Sequence, residues 1–453
     1  MKEIIKNSLK FLTCGSVDDG KSTLIGRMLY ESGAVYEDQI RDAVKSSQLA
    51  DGQIDYSLFV DGLLSEREQG ITIDVAYRYF NTSKTKFIIA DSPGHKQYTR
   101  NMTVAASNSD AAVLLIDASR GIQEQTLRHS YVLNLFGIKN VVIAVNKMDK
   151  VGYSKETFDE IVERYKELTR NFAFEKVFFI PVSAINGDNI TKKSANTEWY
   201  ADVSLLEALE LIASSFQESN GVDRILIQNS IREDSYGRGY QAFVSSGGFR
   251  VGDEVVILPA RKNTKIKTII HGGNEVQRVE KTQSITVFLA DEIDVTRGCV
   301  IVKKKENPDF IVTNKFRAYI IAFYSVRDFS KEFIFAVHHV SVRGVVSKIE
   351  HKINFDSLEK DYDNLQFDEN QIFAVDIELA TVVGCDLYLN DHKSGSFIVV
   401  DPTSHQTIAA GIITENLHKD EIDENDDSDE RYLEFIRKFK NLLSEYKDVA
   451  DGI

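Results

Sequence analysis

Phe11-Leu12-Thr13-Cys14-Gly15-Ser16-Val17-Asp18-Asp19-Gly20-Lys21-Ser22-Thr23 decides how this chain reads. Its apolar start reads as a buried strand, and a helical pattern runs from Lys21 to about Glu31. Between them, Gly15 to Ser22 has the spacing of a phosphate-binding loop in the strand–loop–helix setting that gives that spacing meaning. Glycines let backbone N–H groups wrap a phosphate, and a helix N-terminus adds the positive end of its dipole. Lys21 is placed to bridge β- and γ-phosphates, and Ser22 to coordinate Mg²⁺ through its hydroxyl. Gly20-Lys21 is the only Gly-Lys pair in the chain, so no second such loop is expected.

Working outward, each later motif supplies a different part. In Gly70-Ile71-Thr72, a hydroxyl after a flexible glycine is suited to complete the Mg²⁺ shell and to sense the γ-phosphate. In Asp91-Ser92-Pro93-Gly94-His95, Asp91 ends an apolar strand and can hold a Mg²⁺ water. Gly94 can offer its N–H to the γ-phosphate, and His95 is the candidate catalytic residue that orients the attacking water. Asn146-Lys147-Met148-Asp149 also follows an apolar strand. One carboxylate, Asp149, can accept both N1–H and the exocyclic NH₂ of guanine, a donor pair that adenine lacks. The Lys147 stem can cover the base, and the Ala184 N–H of Ser183-Ala184 can reach guanine O6. Together these stretches describe a GTP and Mg²⁺ pocket.

Composition bounds the partners. The 453 residues leave room for several domains. With 43% hydrophobic and 27% charged residues and no long apolar run, the chain reads as soluble and without a membrane span. Met1 to Lys6 leads straight into a strand and does not read as a signal peptide. Cys14, Cys299 and Cys385 have no paired spacing, which points to a reducing, cytoplasmic setting without disulfides or a zinc site. Cys14 reads as a core residue. A net charge of −15 argues against a nucleic-acid partner, which needs a basic footprint. A nucleotide and another protein are the expected partners.

The first part alternates strand and helix. Strands are expected near Asp74–Phe80, Lys86–Ala90, Ala111–Asp117, Asn140–Val145 and Val177–Pro181, and helices near Lys96–Ser107, Gln123–Phe136, Lys155–Asn171 and Leu205–Phe216. That alternation predicts an α/β fold with a mainly parallel, doubly wound sheet. After Gly221 short alternating strands with Gly turns predict two antiparallel β-barrels, divided by the polar Lys303–Asn307. The expected domains are 1–220, 221–307, 308–417, and an acidic linker with a C-terminal helix over 418–453. In the last of these, Tyr432, Phe435, Ile436, Phe439, Leu442, Leu443 and Tyr446 recur at helical spacing. His338-His339 reads as part of a strand, its rings on opposite faces and unable to form one metal site. Trp199 reads as a packing anchor.

These motifs resemble the translational class of GTPases, of which elongation factor Tu is the best-known member. The spelling of Phe11–Thr23, of Glu66-Arg67-Glu68-Gln69-Gly70-Ile71-Thr72 through Phe80, and of Pro93–Met102 is similar to the GTPase-subunit family of bacterial ATP sulfurylase (sulfate adenylyltransferase). Asp19 stands where translation factors usually carry a second histidine. Ser92 replaces a usual threonine, and Cys299 a usual aspartate. The resemblance implies a heterodimer in sulfate assimilation. A separate small subunit, a nucleotidyltransferase, makes adenosine 5′-phosphosulfate from ATP and sulfate, and GTP hydrolysis on the large subunit drives that uphill step. It implies Gly15 to Thr23, Asp91 to His95, Asn146 to Asp149, Ser183 and Ala184 as nucleotide contacts, and Ser22, Thr72 and, through water, Asp91 at the metal. An elongation-factor-like GTPase delivering tRNA is the alternative.

Overall fold

The protein is described by a computed structural model covering residues 7–46, 54–60, 74–215, 222–304, 310–326, 331–363 and 365–417. Thr72 with its Gly70-Ile71 approach, the 418–430 linker and the 432–446 helical pattern lie outside the described residues.

Six strands build the first sheet: β1 (Asn7–Cys14), β2 (Ala76–Asn81), β3 (Thr85–Asp91), β4 (Ala111–Asp117), β5 (Asn140–Asn146) and β6 (Lys176–Pro181). Their order is β2-β3-β1-β4-β5-β6, all parallel except β2, which runs antiparallel to β3. Every residue of β4 is buried, as a central strand covered on both faces requires. Among the described residues six helices flank the strands: α1 (Lys21–Glu31), α2 (Glu37–Ser46), α3 (Thr99–Ser107), α4 (Glu124–Leu135), α5 (Lys155–Leu168) and α6 (Leu205–Ser215). On one face Leu24, Ile25 and Met28 of α1 join Leu205, Leu209 and Ile212 of α6. On the other, Met102 of α3, Leu133 of α4 and Ile161 of α5 form the second layer. The expected doubly wound α/β sheet is the one observed.

Some expectations shift. The segment 96–107 starts as a 3₁₀ turn, Lys96–Tyr98, before α3 begins. The helix α2 was not foreseen. Among its apolar residues only Ala43 is buried, so it offers little periodic signal.

Two large antiparallel sheets follow, with a separate two-stranded ladder of Gly248–Arg250 and Arg278–Glu280. The first contains Arg224–Glu233, Gly237–Ser246, Glu254–Leu258, Lys262–His271, Ser284–Leu289 and Val300–Lys303, and closes because the third and fourth of these also pair. The second contains Ile311–Ala322, Phe333–Val337, Val340–Ile353, Ile372–Cys385, Ser396–Val400 and Thr407–Asn416, closed by pairing of Phe333–Val337 with Val340–Ile353. Val337 pairs with Val340, so His338 and His339 form the two-residue turn of a hairpin. The strand expectation for them is corrected: the chain reverses there, with His338 at φ +40° and its Nε2 against the Gly384 carbonyl at 2.9 Å.

Buried polar contacts join the three sheets. Arg224 of the first barrel grips Asp386 of the second with two bonds, 2.9 and 3.1 Å, and its guanidinium lies over Phe310. Ser394 donates to Asp386, and Ser245 to Asp391. From the α/β layer, fully buried Arg128 on α4 reaches the Asn370 carbonyl at 2.7 Å and lies 3.8 Å from the centre of the Phe355 ring.

Candidate functional site

The parallel register puts the C-terminal ends of β1, β3, β4 and β5 along one edge of the sheet. Thr13 pairs with Asp91, Cys14 with Leu114, and Asp117 with Asn146. The motif-bearing loops therefore emerge side by side.

Gly15, Asp18 and Gly20 have φ of +155°, +67° and +92°, so the loop turns back on itself before α1. At Gly20 a Cβ would lie 2.5 Å from Asn146 Nδ2, which only glycine avoids. The helix α1 has neither a side-chain cap nor an acidic residue in its first turn, leaving its leading N–H groups facing the loop's concavity. Lys21 is buried and donates to the carbonyls of Gly15 (2.9 Å) and Ser16 (2.8 Å). Burial lowers its pKa, and Asp19 and Asp91 oppose that. Asp19 is itself buried and accepts the Ser16 N–H at 2.6 Å. Burial raises its carboxyl to about 6 against the pull of Lys21. Cys14, directly before the loop, is a core residue whose thiol burial raises to about 12.

Asp91 is buried, with the Thr13 hydroxyl donating to it at 3.3 Å. Ser92 donates to the Thr13 carbonyl at 2.7 Å, using the hydroxyl it shares with threonine. Gly94 comes down on the phosphate loop: a Cβ there would lie 2.3 Å from Lys21 Nζ and 2.6 Å from the Gly15 oxygen. His95 is exposed at the start of the 3₁₀ turn, its Nδ1 facing the Gln97 N–H at 3.3 Å. In the neutral ring that contact assigns the proton to Nε2.

At the other end, Asn146 is a buried tie. Its Nδ2 donates to the Asp19 carbonyl at 2.7 Å, and its Oδ1 accepts the Ala184 N–H at 3.0 Å. The Ala184 amide, expected to face a base, thus also serves the frame. Lys147 adopts φ +62° and donates to the Asp18 carbonyl and, at 2.8 Å, to Asp117. Asp117 was not singled out from the sequence. Its signal was available, since it ends an apolar strand as Asp91 and Asn146 do. Burial raises its carboxyl, but hydrogen bonds from Lys147 and Ser119 outweigh that and leave it below the ordinary value. Ser183 donates to Asp149 at 2.6 Å. Behind them Asp188 accepts from Tyr153 at 2.6 Å, and Trp199 donates to the Tyr153 carbonyl while packing on Phe158, the anchor role expected for it.

Among the described residues no cluster of three His, Cys, Asp or Glu is arranged to hold a metal. The oxygen donors Ser22 and Asp91 suit a hard cation that keeps most of its waters. The Thr13 hydroxyl on Asp91 fixes that carboxylate's orientation, so the residues present fit Mg²⁺.

Residues 6–216 match the family model for the elongation factor Tu GTP-binding domain, and residues 315–414 the GTP-eEF1A C-terminal domain-like model. A GTP-binding domain with this phosphate loop, followed by two β-barrels, makes the chain a GTPase of the elongation factor Tu class. Among curated proteins it is 41% identical over 435 residues to sulfate adenylyltransferase subunit 1 of Alteromonas mediterranea, covering 95% of this chain and 92% of that one. The same protein of Teredinibacter turnerae is 43% identical (91% and 88% covered), and that of Francisella tularensis subsp. novicida 40% (97% and 93%). The chain belongs to the sulfate adenylyltransferase subunit 1 family.

Proposed function

We propose that this GTPase couples GTP hydrolysis to the synthesis of adenosine 5′-phosphosulfate from ATP and sulfate, carried out in the cytoplasm by a separate catalytic subunit. The observation that carries the nucleotide half is the Asn146 side chain, which ties the phosphate loop at Asp19 to the base-recognition loop at Ala184. One molecule spanning both loops needs a phosphate chain at one end and a purine at the other. The coupling half rests on the family.

In this reading the amides of Gly15 to Thr23 and the Lys21 ammonium hold the β- and γ-phosphates, with the Gly94 N–H on the γ-phosphate. Asp149, oriented by Ser183, accepts the two guanine donors, and the Lys147 stem covers the base. His95 directs water through Nε2. Ser22, Asp91 through water, and Thr72 would hold Mg²⁺, which supplies positive charge to the β- and γ-phosphate oxygens. Residues 1–220 form the nucleotide domain, and 221–307 and 308–417 the barrels that carry the partner surface.

The test is GTP turnover by the full chain co-expressed with its catalytic subunit. ATP plus sulfate accelerates hydrolysis, and His95→Ala lowers the accelerated rate by about 100-fold or more. Stimulation by tRNA or ribosomes, with none by ATP and sulfate, overturns the coupling in favour of an elongation-factor-like role.

A further inference from the structure

The loop after β4 carries Arg120 to the rim of the phosphate loop. Its Nη1 lies 3.4 Å from the Val17 carbonyl, and its Nη2 lies 3.8 Å from the Asp18 carboxylate. The backbone beneath it is pinned. Arg120 N donates to the Asp117 carbonyl at 3.0 Å, Gly121 N to the same oxygen at 2.9 Å, and Gln123 Nε2 to the Arg120 carbonyl at 2.8 Å. Asp117 is in turn clamped by Ser119 and Lys147. A fixed base thus carries a half-exposed side chain held at the rim by two long contacts.

Two other cations lie near: Lys147 is tied to the frame, and Lys21 holds the inner side of the β- and γ-phosphates in the reading above, which leaves the outer rim to Arg120. Lys147 is held by Asp117 and the Asp18 carbonyl, and Lys21 lies inside the loop facing Asp19 and Asp91. Besides its 3.4 Å bond to the Val17 carbonyl, Arg120 has a long pairing with Asp18, in which the two side chains are 50% and 69% exposed. Such an exposed pair adds little stability, so it does not account for a guanidinium held at this spot. A phosphate chain in the loop would offer a stronger, multivalent anion than the single Asp18 carboxylate. Guanidinium stays charged at any working pH and matches phosphate oxygens with paired donors.

We propose that Arg120 is a further catalytic residue of the GTPase, a cation supplied in cis that leaves Asp18 for the phosphates and neutralises the charge developing between the β- and γ-phosphoryl groups. In the reaction, water oxygen bonds to the γ-phosphorus, the β–γ bridging oxygen leaves with the bonding pair as a terminal oxygen of GDP, and the water's protons end on the released phosphate. Arg120 stabilises that departing oxygen and exchanges no proton. The proposal rests on the GTP site described above.

The test uses the full-length chain with Mg²⁺, in single-turnover GTP hydrolysis and in binding of GDP with and without aluminium fluoride. Arg120→Ala lowers the hydrolysis rate by about 100-fold or more, towards the range that such arginines supply, while GDP affinity changes by less than about threefold. The gain in GDP affinity conferred by aluminium fluoride falls in parallel, and Arg120→Lys keeps part of the rate. A parent-like rate in Arg120→Ala overturns the proposal. So does an equal loss of GDP affinity and rate, which marks a prop for the loop. A parent chain that neither binds GDP nor turns over GTP instead overturns the site itself.

Discussion

The Ser183 hydroxyl donates to Asp149 Oδ1 at 2.6 Å, so the carboxylate proposed to read guanine is aimed by a residue from a different loop. The base recognition proposed above would thus depend on two loops in contact. Asp149→Asn removes charge-assisted bonds worth roughly 1.5–3 kcal/mol each, so GTP affinity falls by about 100-fold or more and preference shifts towards XTP, whose extra carbonyl suits an amide donor. Ser183→Ala leaves the carboxylate in place and weakens GTP by about tenfold or less. Calorimetric titration with GTP and XTP reads both. An unchanged GTP-over-XTP preference in Asp149→Asn refutes the base assignment.

Gly94 is defined by contact with the phosphate loop. The side chain of Gly94→Ala would press on Lys21 Nζ, which can move, and on the Gly15 carbonyl, which is backbone and cannot. The loops separate by about an ångström, and a shift of that size lowers turnover by about 100-fold. The melting temperature stays near the parent's, because Gly94 lies outside helix and strand. Parent-like turnover of Gly94→Ala is incompatible with this geometry.

Asp19 makes stability depend on pH. Burial lifts its carboxyl from 3.8 to about 6, so the folded chain holds that proton more tightly than the unfolded one. The contribution is most favourable below about pH 4, falls as pH rises from about 4 to about 6, and stays low above that, by about 3 kcal/mol in all. Asp19→Asn cannot ionise and keeps an acceptor for the Ser16 N–H. It melts above the parent at pH 8, and the gap narrows as pH is lowered to 4.5. Parallel melting curves across that range contradict the assignment.

The Arg224–Asp386 pair holds the barrels together through a buried, bidentate contact. Burial raises the Asp386 carboxyl, and Arg224 and Ser394 oppose it. Arg224→Met strands that carboxylate and destabilises by about 3–5 kcal/mol, whereas Arg224→Met with Asp386→Leu recovers much of the loss. Denaturant unfolding of the two variants measures this; a double variant as weak as the single one rules out the stranded charge as the cause.

Local signals carried the α/β half. Gly15–Ser22 needed only its flanking strand and helix to be read, and the apolar runs that end in Asp117 of β4 and Asn146 of β5 left little choice of element. What escaped depends on distant partners. Asp117 matters because register sets it beside Asn146 and within reach of Lys147. Arg120 is an ordinary loop arginine until the fold brings Val17 and Asp18 to it. The His338-His339 turn was hidden because histidine is not a usual turn residue, and strand signals continue on both sides of it.

Arg128 sets a condition on movement between the nucleotide layer and the second barrel. Its guanidinium touches the Asn370 carbonyl and the Phe355 ring of the barrel and also pairs with Glu124 of its own helix at 3.0 Å, so a sliding of the barrel would take away the first two contacts and leave the carboxylate in place. Losing one charge-assisted bond and one ring contact therefore opposes a shift across this seam, and the ion pair with Glu124 limits that penalty.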